Sequence, residues 1–468
     1  TSSADWQFLQ QTKWHYSPNV RKLPADYPVN DDTSQIKVVM FNAVGGSTIH
    51  WTAHVPRFHP SDFRVKTLDG VAEDWPISYF DLEPYYDLND EMMGCSGING
   101  DPANPPRSPR QMPPIPIGPD GERIARAFDE LGWHWWPSDV HVNSTDYKDR
   151  KACNYCGPIG QNCDRGARAS SDITYIPEAI NLGAEVRPNS TVFEITTGDN
   201  GRATGANYYN ADGEQEFQPA NAVVVGCNGI GTPRMLLHST SKSHPEGLLN
   251  SSGLVGKNLM FHVYAGASGF FDDLDAPTYR GPLACIIMSQ EFYETDPSRD
   301  FKRGYTFQMG RGQGPAPTAT GGVSWGKNHH AEFAERFGKN LGLGVIGDDL
   351  PEEKNRVELD TKLTDRYGIP APKIIYRVGN NSIRLLAHGV NSARTVLESA
   401  GASRIISSQL STNAGWHLMG TARMGEDPTL SVVNQYGQGH DADNVFIVDG
   451  SVFVTGAAVN PTPTIQAL

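Results

Sequence analysis

The chain has 468 residues, with 53 Asp and Glu against 39 Lys and Arg and a net charge of −14. That length exceeds one ordinary core, so two domains or one large composite unit are expected. The acidic balance argues against nucleic acid or anionic lipid as a partner, and no apolar run approaches the ~18 residues of a membrane span.

The opening TSSADWQ carries no Met, basic stretch or apolar core of a secretion signal, so it does not decide between periplasm and cytoplasm. Residues 43–52, AVGGSTIHWT, place Gly45, Gly46 and Ser47 after an apolar run and His50 just beyond. Paired glycines let a backbone lie close to a flat or phosphorylated group. Residues 78–93 predict a helix capped by Ser78 and Asp81, with Tyr85, Leu88 and Met92 as its apolar face. The Pro-rich stretch 101–119 predicts an extended excursion, and a helix follows from Asp120 to Leu131. Six cysteines are too few for a disulfide scaffold. Cys95, Cys227 and Cys285 read as small buried hydrophobes, whereas Cys153, Cys156 and Cys163 are clustered.

Residues 222–239 predict a buried parallel strand, a glycine turn, and a helix capped by Thr232 with Pro233 at its first position. That layout would offer backbone N–H groups to an anion. Ile383, Leu386, Val390, Ala393 and Leu397 form one stripe of a helix over 382–400 that Gly401 stops. WHLMGTARMG (416–425), the buried strand NVFIVDG (444–450) and GAAVNPTPTI (456–465) follow. Read alone, His417 is a core histidine bonded to a carbonyl, and Asn460 an Asx turn before Pro461. Alternating strand, turn and helix units imply an α/β fold with an inserted second domain.

Taken in order, VGGSTIHW (44–51), GIGTPRMLLHS (229–239), GLVGKNLMFH (253–262), LPEEKNRVELD (350–360) and the C-terminal block resemble the glucose-methanol-choline (GMC) family of FAD-dependent oxidoreductases. The resemblance spans about Val38 to Leu468 and lies closest to the gluconate and sugar dehydrogenase and pyranose oxidase branches. It implies a discontinuous FAD-binding domain over 33–55, 151–270 and 410–468, with a sheet-containing substrate domain and excursions over 56–150 and 271–409. The family's GxGxxG unit lies upstream of the glycine loop and is absent here. A fragment lacking the N-terminal βαβ unit, and binding FAD weakly, is therefore expected.

Within the resemblance, His417 matches the active-site base and Asn460 its partner. The first would accept the hydroxyl proton as hydride leaves for flavin N5, and the second would orient the oxygen. Gly45, Gly46, Ser47, Asp449, Gly450, Pro461 and Thr462 match cofactor contacts, and Val192 a backbone contact to adenine. His50 matches the pyranose-oxidase histidine bonded covalently to the flavin; a packing histidine is the alternative. Cys153, Cys156 and Cys163 lie where some family dehydrogenases carry an iron–sulfur cluster. Their spacing differs, Pro158 and Ile159 stand where a further cysteine would help, and zinc, a disulfide or thiols are the other readings.

The implied activity is oxidation of a hydroxyl on a sugar, sugar acid or glycoside by a dehydrogenase, with an electron-acceptor protein such as a cytochrome as partner. A dioxygen-using oxidase, a non-redox FAD-binding lyase and a non-catalytic carbohydrate- or metal-binding module are the alternatives.

Overall fold

The computed structural model describes residues 15–23, 26–157, 163–274, 286–312 and 314–468. Its largest described sheet is antiparallel. The strands run in the order Arg404–Ser408, Val263–Phe270, Asn340–Gly347, Tyr305–Gly310, Ile287–Ser289 and Trp136–Pro137. The Asn380–Ser399 helix packs across this sheet, burying Leu385, Leu386, Val390, Ala393, Val396 and Leu397. Ile383, expected on the same stripe, is exposed. Val263–Phe270 belongs to this sheet although it ends the 151–270 segment, so the sheet crosses that expected domain boundary.

Val223–Val225 pairs in parallel with Val445–Ile447, and Thr191–Thr197, Ala203–Tyr209 and Gln215–Pro219 form an antiparallel sheet beside them. A mixed sheet joins Asn30–Ser34, Pro370–Tyr376 and Arg356–Thr364. Val224 is 61 % exposed, so the strand expected to be buried on both faces is covered on one.

Two sequence-based helix assignments change in detail. The Tyr79–Met93 helix has the predicted Ser78–Asp81 capping box. Its buried face, however, is Tyr79, Leu82, Tyr86, Asn89, Asp90 and Met93, while Tyr85 and Leu88 face solvent. Asp90 is tolerated inside because Arg57 Nη2, Arg107 and His141 Nε2 all bond its carboxylate. The helix expected from Thr232 starts instead at Asn228 and runs to His238. Asn228 takes the left-handed conformation (φ 65°), and its Oδ1 accepts from the N–H groups of Ile230 and Gly231. Pro233 then lies inside the helix and supplies no N–H to the Gly229 carbonyl, which accepts from Thr421 Oγ1 at 2.8 Å instead.

Two apolar cores meet along residues 260–263 and 418–419. Phe261, Val263 and Leu418 join the core of the large sheet. Met260 and Met419 join a second core with Trp75, Ile447 and Phe453. At this seam the buried carboxyl of Asp349 accepts from Tyr376 Oη (2.7 Å), Ser382 Oγ (3.1 Å) and the Phe261 N–H (3.4 Å). Burial raises its pKa from 3.8 to about 7. Between these values the folded chain holds a proton that the unfolded chain releases, so this group lowers stability as pH rises. Asp349→Asn removes that term. Relative to the wild type, the variant's unfolding free energy should gain about 1.4 kcal/mol per pH unit across the window, read by urea unfolding at successive pH values. Parallel pH profiles for the two proteins would refute the assignment.

Candidate active site

Backbone register brings two histidines together. Met260 and Met419 exchange N–H···O bonds of 3.0 and 3.1 Å in an isolated antiparallel bridge. Two residues onward on one segment and two back on the other, His262 stands opposite His417. Their Nδ1 atoms are 2.6 Å apart and their rings nearly perpendicular. Both histidines are buried.

The backbone selects the tautomers. His262 Nε2 lies 3.0 Å from the Gly456 carbonyl and 2.9 Å from that of Ala457. Carbonyls only accept, so Nε2 carries the hydrogen, and the Nδ1 of neutral His262 is an acceptor. His417 must therefore donate Nδ1–H to it, which leaves His417 Nε2 with the lone pair. Ala457, fully buried at φ 57°, uses a conformation disfavoured for a residue with a Cβ to turn its carbonyl here. Burial pulls the His262 pKa down to about 4, and burial with the neighbouring His262 and His54 pulls His417 well below its usual value. Both rings are neutral at pH 7.

Asn460 is fixed by a second network. Its Oδ1 accepts from His54 Nδ1 at 2.7 Å and from Gln308 Nε2 at 2.6 Å. With the amide oxygen taken by two donors, the side-chain N–H₂ is left as a donor. Met288 and Gln308 are cross-strand neighbours, and both reach His54. Ala53 at φ 58° sets the backbone just before His54, whose pKa burial lowers to about 4. His54 also lies close enough to His417 to disfavour its charged form, so Asn460 and His417 share one polar site.

The glycine loop forms a short 3-10 turn, Gly46–Ile49, entered by Gly45 at φ 94°. A Cβ on Gly45 would meet the Asp172 Cβ at 2.9 Å, while one on Gly46 would meet nothing within 4 Å. Ser47 is exposed, with its Oγ accepting from the Phe41 N–H. The His50 ring packs edge-on against Phe41 (centroids 4.3 Å) and Tyr16 (5.5 Å). Arg168 clamps the loop through the carbonyls of Ile49 and Trp51.

Asp449 is buried and accepts from Asn228 N–H (3.0 Å), Thr232 Oγ1 (2.5 Å) and Ser451 N–H (2.8 Å). It and the Asn228 side chain together occupy the first amides of the Asn228–His238 helix, so that terminus is not the open anion site expected from sequence. Gly450 begins the short turn after Asp449, with Leu418 O 2.7 Å from where its Cβ would stand. Pro461 caps and Thr462 begins the last helix. Val192 is 41 % exposed on the Thr191–Thr197 strand.

The clustered cysteines do not converge. Cys95, Cys153, Cys156, Cys163 and Cys227 are all thiols without a disulfide. Among the described residues the group of three potential metal ligands within 4.8 Å is Asp90, Cys95 and His141, not the cysteine cluster. Arg57 and Arg107 already neutralise Asp90, so that group does not suit a cation. Cys95 is buried as expected and Cys227 half-buried; Cys285, Pro158 and Ile159 lie outside the described residues.

Residues 114–264 and 351–468, together more than half of the chain, match the two family models described as GMC oxidoreductase. The chain belongs to the GMC oxidoreductase family. It is 42 % identical to the 2-methyl-1,2-propanediol dehydrogenase of Mycolicibacterium austroafricanum, over 99 % of this chain and 85 % of that protein. It is 30 % identical to the fructose dehydrogenase large subunit of Gluconobacter japonicus, over 93 % of this chain and 80 % of that protein. Among solved structures it resembles pyridoxine 4-oxidase from Mesorbium loti. That match has a TM-score of 0.66 at 15 % identity, covering 94 % of this chain and 86 % of that one, and it shows the shared fold.

As a GMC oxidoreductase the protein is an FAD-dependent oxidoreductase of alcohol CH–OH groups. Its residues fit that cofactor. The Gly45–Gly46 turn bares its backbone with open space at Gly46, and beside it Asp172 Oδ1 is buried with no hydrogen-bond partner among the described residues. His54, His262 and Gln308 were not singled out from the sequence. His262 ends the quoted stretch GLVGKNLMFH and His54 lies two residues beyond AVGGSTIHWT, but only the strand register shows what they touch.

His262→Phe tests the tautomer assignment. Without the Nδ1 acceptor, His417 no longer has one preferred tautomer, and flavin reduction by alcohol should fall roughly 10²-fold with bound FAD unchanged. Stopped-flow absorbance under anaerobic conditions measures it, and wild-type rates would refute the role.

Proposed function

We propose that this GMC oxidoreductase is a dehydrogenase of an uncharged polyhydroxylated small molecule, a vicinal diol or a neutral sugar. The observation that carries the reading is the fixed pair: His417 with an unprotonated Nε2, and Asn460 with its oxygen taken and its N–H₂ left as a donor. One substrate oxygen can donate its hydroxyl proton to Nε2 while accepting from the amide. The Asn460 amide then follows the oxygen as it becomes a carbonyl, without competing for the proton. When bound, FAD supplies the hydride acceptor. Gly45, Gly46, Ser47, His50, Val192, Asp449, Gly450, Pro461 and Thr462 are proposed to hold it, on the FAD-binding side of the two-domain division 33–55, 151–270 and 410–468 against 56–150 and 271–409.

Charge argues against the sugar-acid substrate. Among the described residues, no hydrogen bond to His54, His262, His417, Asn460 or Gln308 comes from Lys or Arg. The acid that reaches His54 electrostatically is Asp139. Asp139 is itself paired with Arg107 and Arg110, so among the described residues a carboxylate substrate would find no free cation bonded to these five groups. The likeness to a diol dehydrogenase and a fructose dehydrogenase supports a neutral polyol, and an electron-acceptor protein such as a cytochrome is the proposed partner. The edge-on packing of His50 supports the packing role over the covalent one.

With the holoenzyme under anaerobic conditions, a vicinal diol should bleach the flavin and a sugar acid should not; the reverse would overturn the substrate class. His417→Ala should slow bleaching roughly 10²–10⁴-fold. Asn460→Ala should lose less, on the order of 1–3 kcal/mol of transition-state stabilisation. Acid precipitation should leave the flavin in the supernatant; flavin pelleting with the protein would establish a bond to His50 or another side chain.

A further inference from the structure

His262 has a neighbour on the side away from His417. Gly456, whose carbonyl takes the Nε2 hydrogen, has no side chain. A Cβ there would stand 3.6 Å from His262 Nε2 and 3.6 Å from Asp348 Oδ1. The same small space thus touches the outer nitrogen of the histidine pair and one carboxylate oxygen. Asp348 is 1 % exposed, and its Oδ1 has no hydrogen-bond partner among the described residues.

The Asp348 carboxylate has one cationic partner among the described residues, and shares it. Asp348 Oδ2 accepts from Arg303 Nε at 3.1 Å. Arg303 also meets Asp62, Asp69 at 3.1 Å and Glu294 at 3.4 Å, so one guanidinium faces four carboxyl groups. Tyr293 Oη donates to Asp62, and Asp349 follows Asp348 in the chain. The Asp348 carboxyl, sharing its guanidinium with three other acids, therefore lies across Gly456 from His262.

Resting on the proposed alcohol oxidation, we propose that Asp348 is a positioning residue of that reaction: its carboxylate is the buried counter-charge that favours the imidazolium formed when His417 takes the substrate proton. The substrate O–H bond breaks, and its proton goes to His417 Nε2. The hydride leaves the carbon with the electron pair. The new positive charge is shared by hydrogen bonding with His262, whose Nε2–H edge faces Asp348 across Gly456. Every group keeps its own protons except His417, which returns its proton to solvent after product leaves. Burial and the nearby acids raise the Asp348 pKa to about 7, so the counter-charge is present above neutrality and absent below it.

The test is the pH dependence of anaerobic flavin reduction in the FAD-loaded protein with a saturating vicinal diol. The wild-type rate should climb between about pH 6 and pH 8 as Asp348 ionises. In Asp348→Asn that climb should vanish, with a rate about tenfold below wild type at the upper end. A purely structural role would lower the rate equally at every pH. A variant that keeps the wild-type profile overturns the proposal. If Asp348→Asn fails to fold or to hold FAD, the wild-type profile decides, and a flat rate across neutrality overturns it. A wild-type holoenzyme that no neutral diol or sugar reduces overturns the functional reading instead, so the two failures are distinguishable.

Discussion

The contact on which the site depends is the 2.6 Å approach of His262 Nδ1 to His417 Nδ1. Two imidazole nitrogens at that distance must share one hydrogen. Which ring owns it is decided elsewhere, by the Gly456 and Ala457 carbonyls on the far side of His262. Backbone acceptors cannot change protonation state, so they make a directional choice that a third side chain would make less firmly. The direction of the His417 Nδ1 hydrogen is set by the main chain two contacts away. This is why a buried alanine adopts a left-handed conformation there: turning its carbonyl onto Nε2 offsets the local strain.

The same logic governs Asn460. An amide can present either its oxygen or its nitrogen, and nothing in a lone Asn chooses. His54 and Gln308 choose by donating twice to Oδ1. Gln308 is held by its strand, with Gly344 on one side and Met288 on the other. His54 is held by a bridge to Val140. The orientation of one amide thus draws on three chain segments far apart in sequence, and the large antiparallel sheet serves as the frame of the reacting pair.

Much of this was legible in the residues, and the reasons for the rest are specific. Local rules found the Ser78–Asp81 cap and the Asn380–Ser399 helix, because capping and periodicity are properties of neighbours along the chain. They chose the wrong face of the Tyr79–Met93 helix because its true inner face carries Asn89 and Asp90. Asp90 becomes acceptable inside only through Arg57 and Arg107, which arrive from other segments. They started the next helix at Thr232 because Thr before Pro is a good cap. Asn228 caps earlier because its left-handed backbone lets its own amide reach two N–H groups. The motifs offered His417 and Asn460 as positions. Their partners follow from the Met260–Met419 register and from sheet pairing, which no short motif encodes.

Charge is distributed in a way the chemistry explains. The polar groups around the proposed pair include His54, His262, Gln308 and the Tyr264 hydroxyl, all without formal charge, and burial holds the His54, His262 and His417 pKa values down. The acids and arginines sit one layer back: Asp348 and Arg303 behind His262, and Asp139 with Arg107 and Arg110 behind His54. A carboxylate in direct contact with His417 would hold it protonated and end its use as a base; a guanidinium there would prevent it from taking a proton at all. In the proposed reaction, weak screening in a dry interior would let charges set one layer back act on the arriving proton while the resting His417 stays neutral. Ion pairs placed behind the histidines rather than beside them would then leave the site uncharged before the proposed proton transfer and able to accept a positive charge during it.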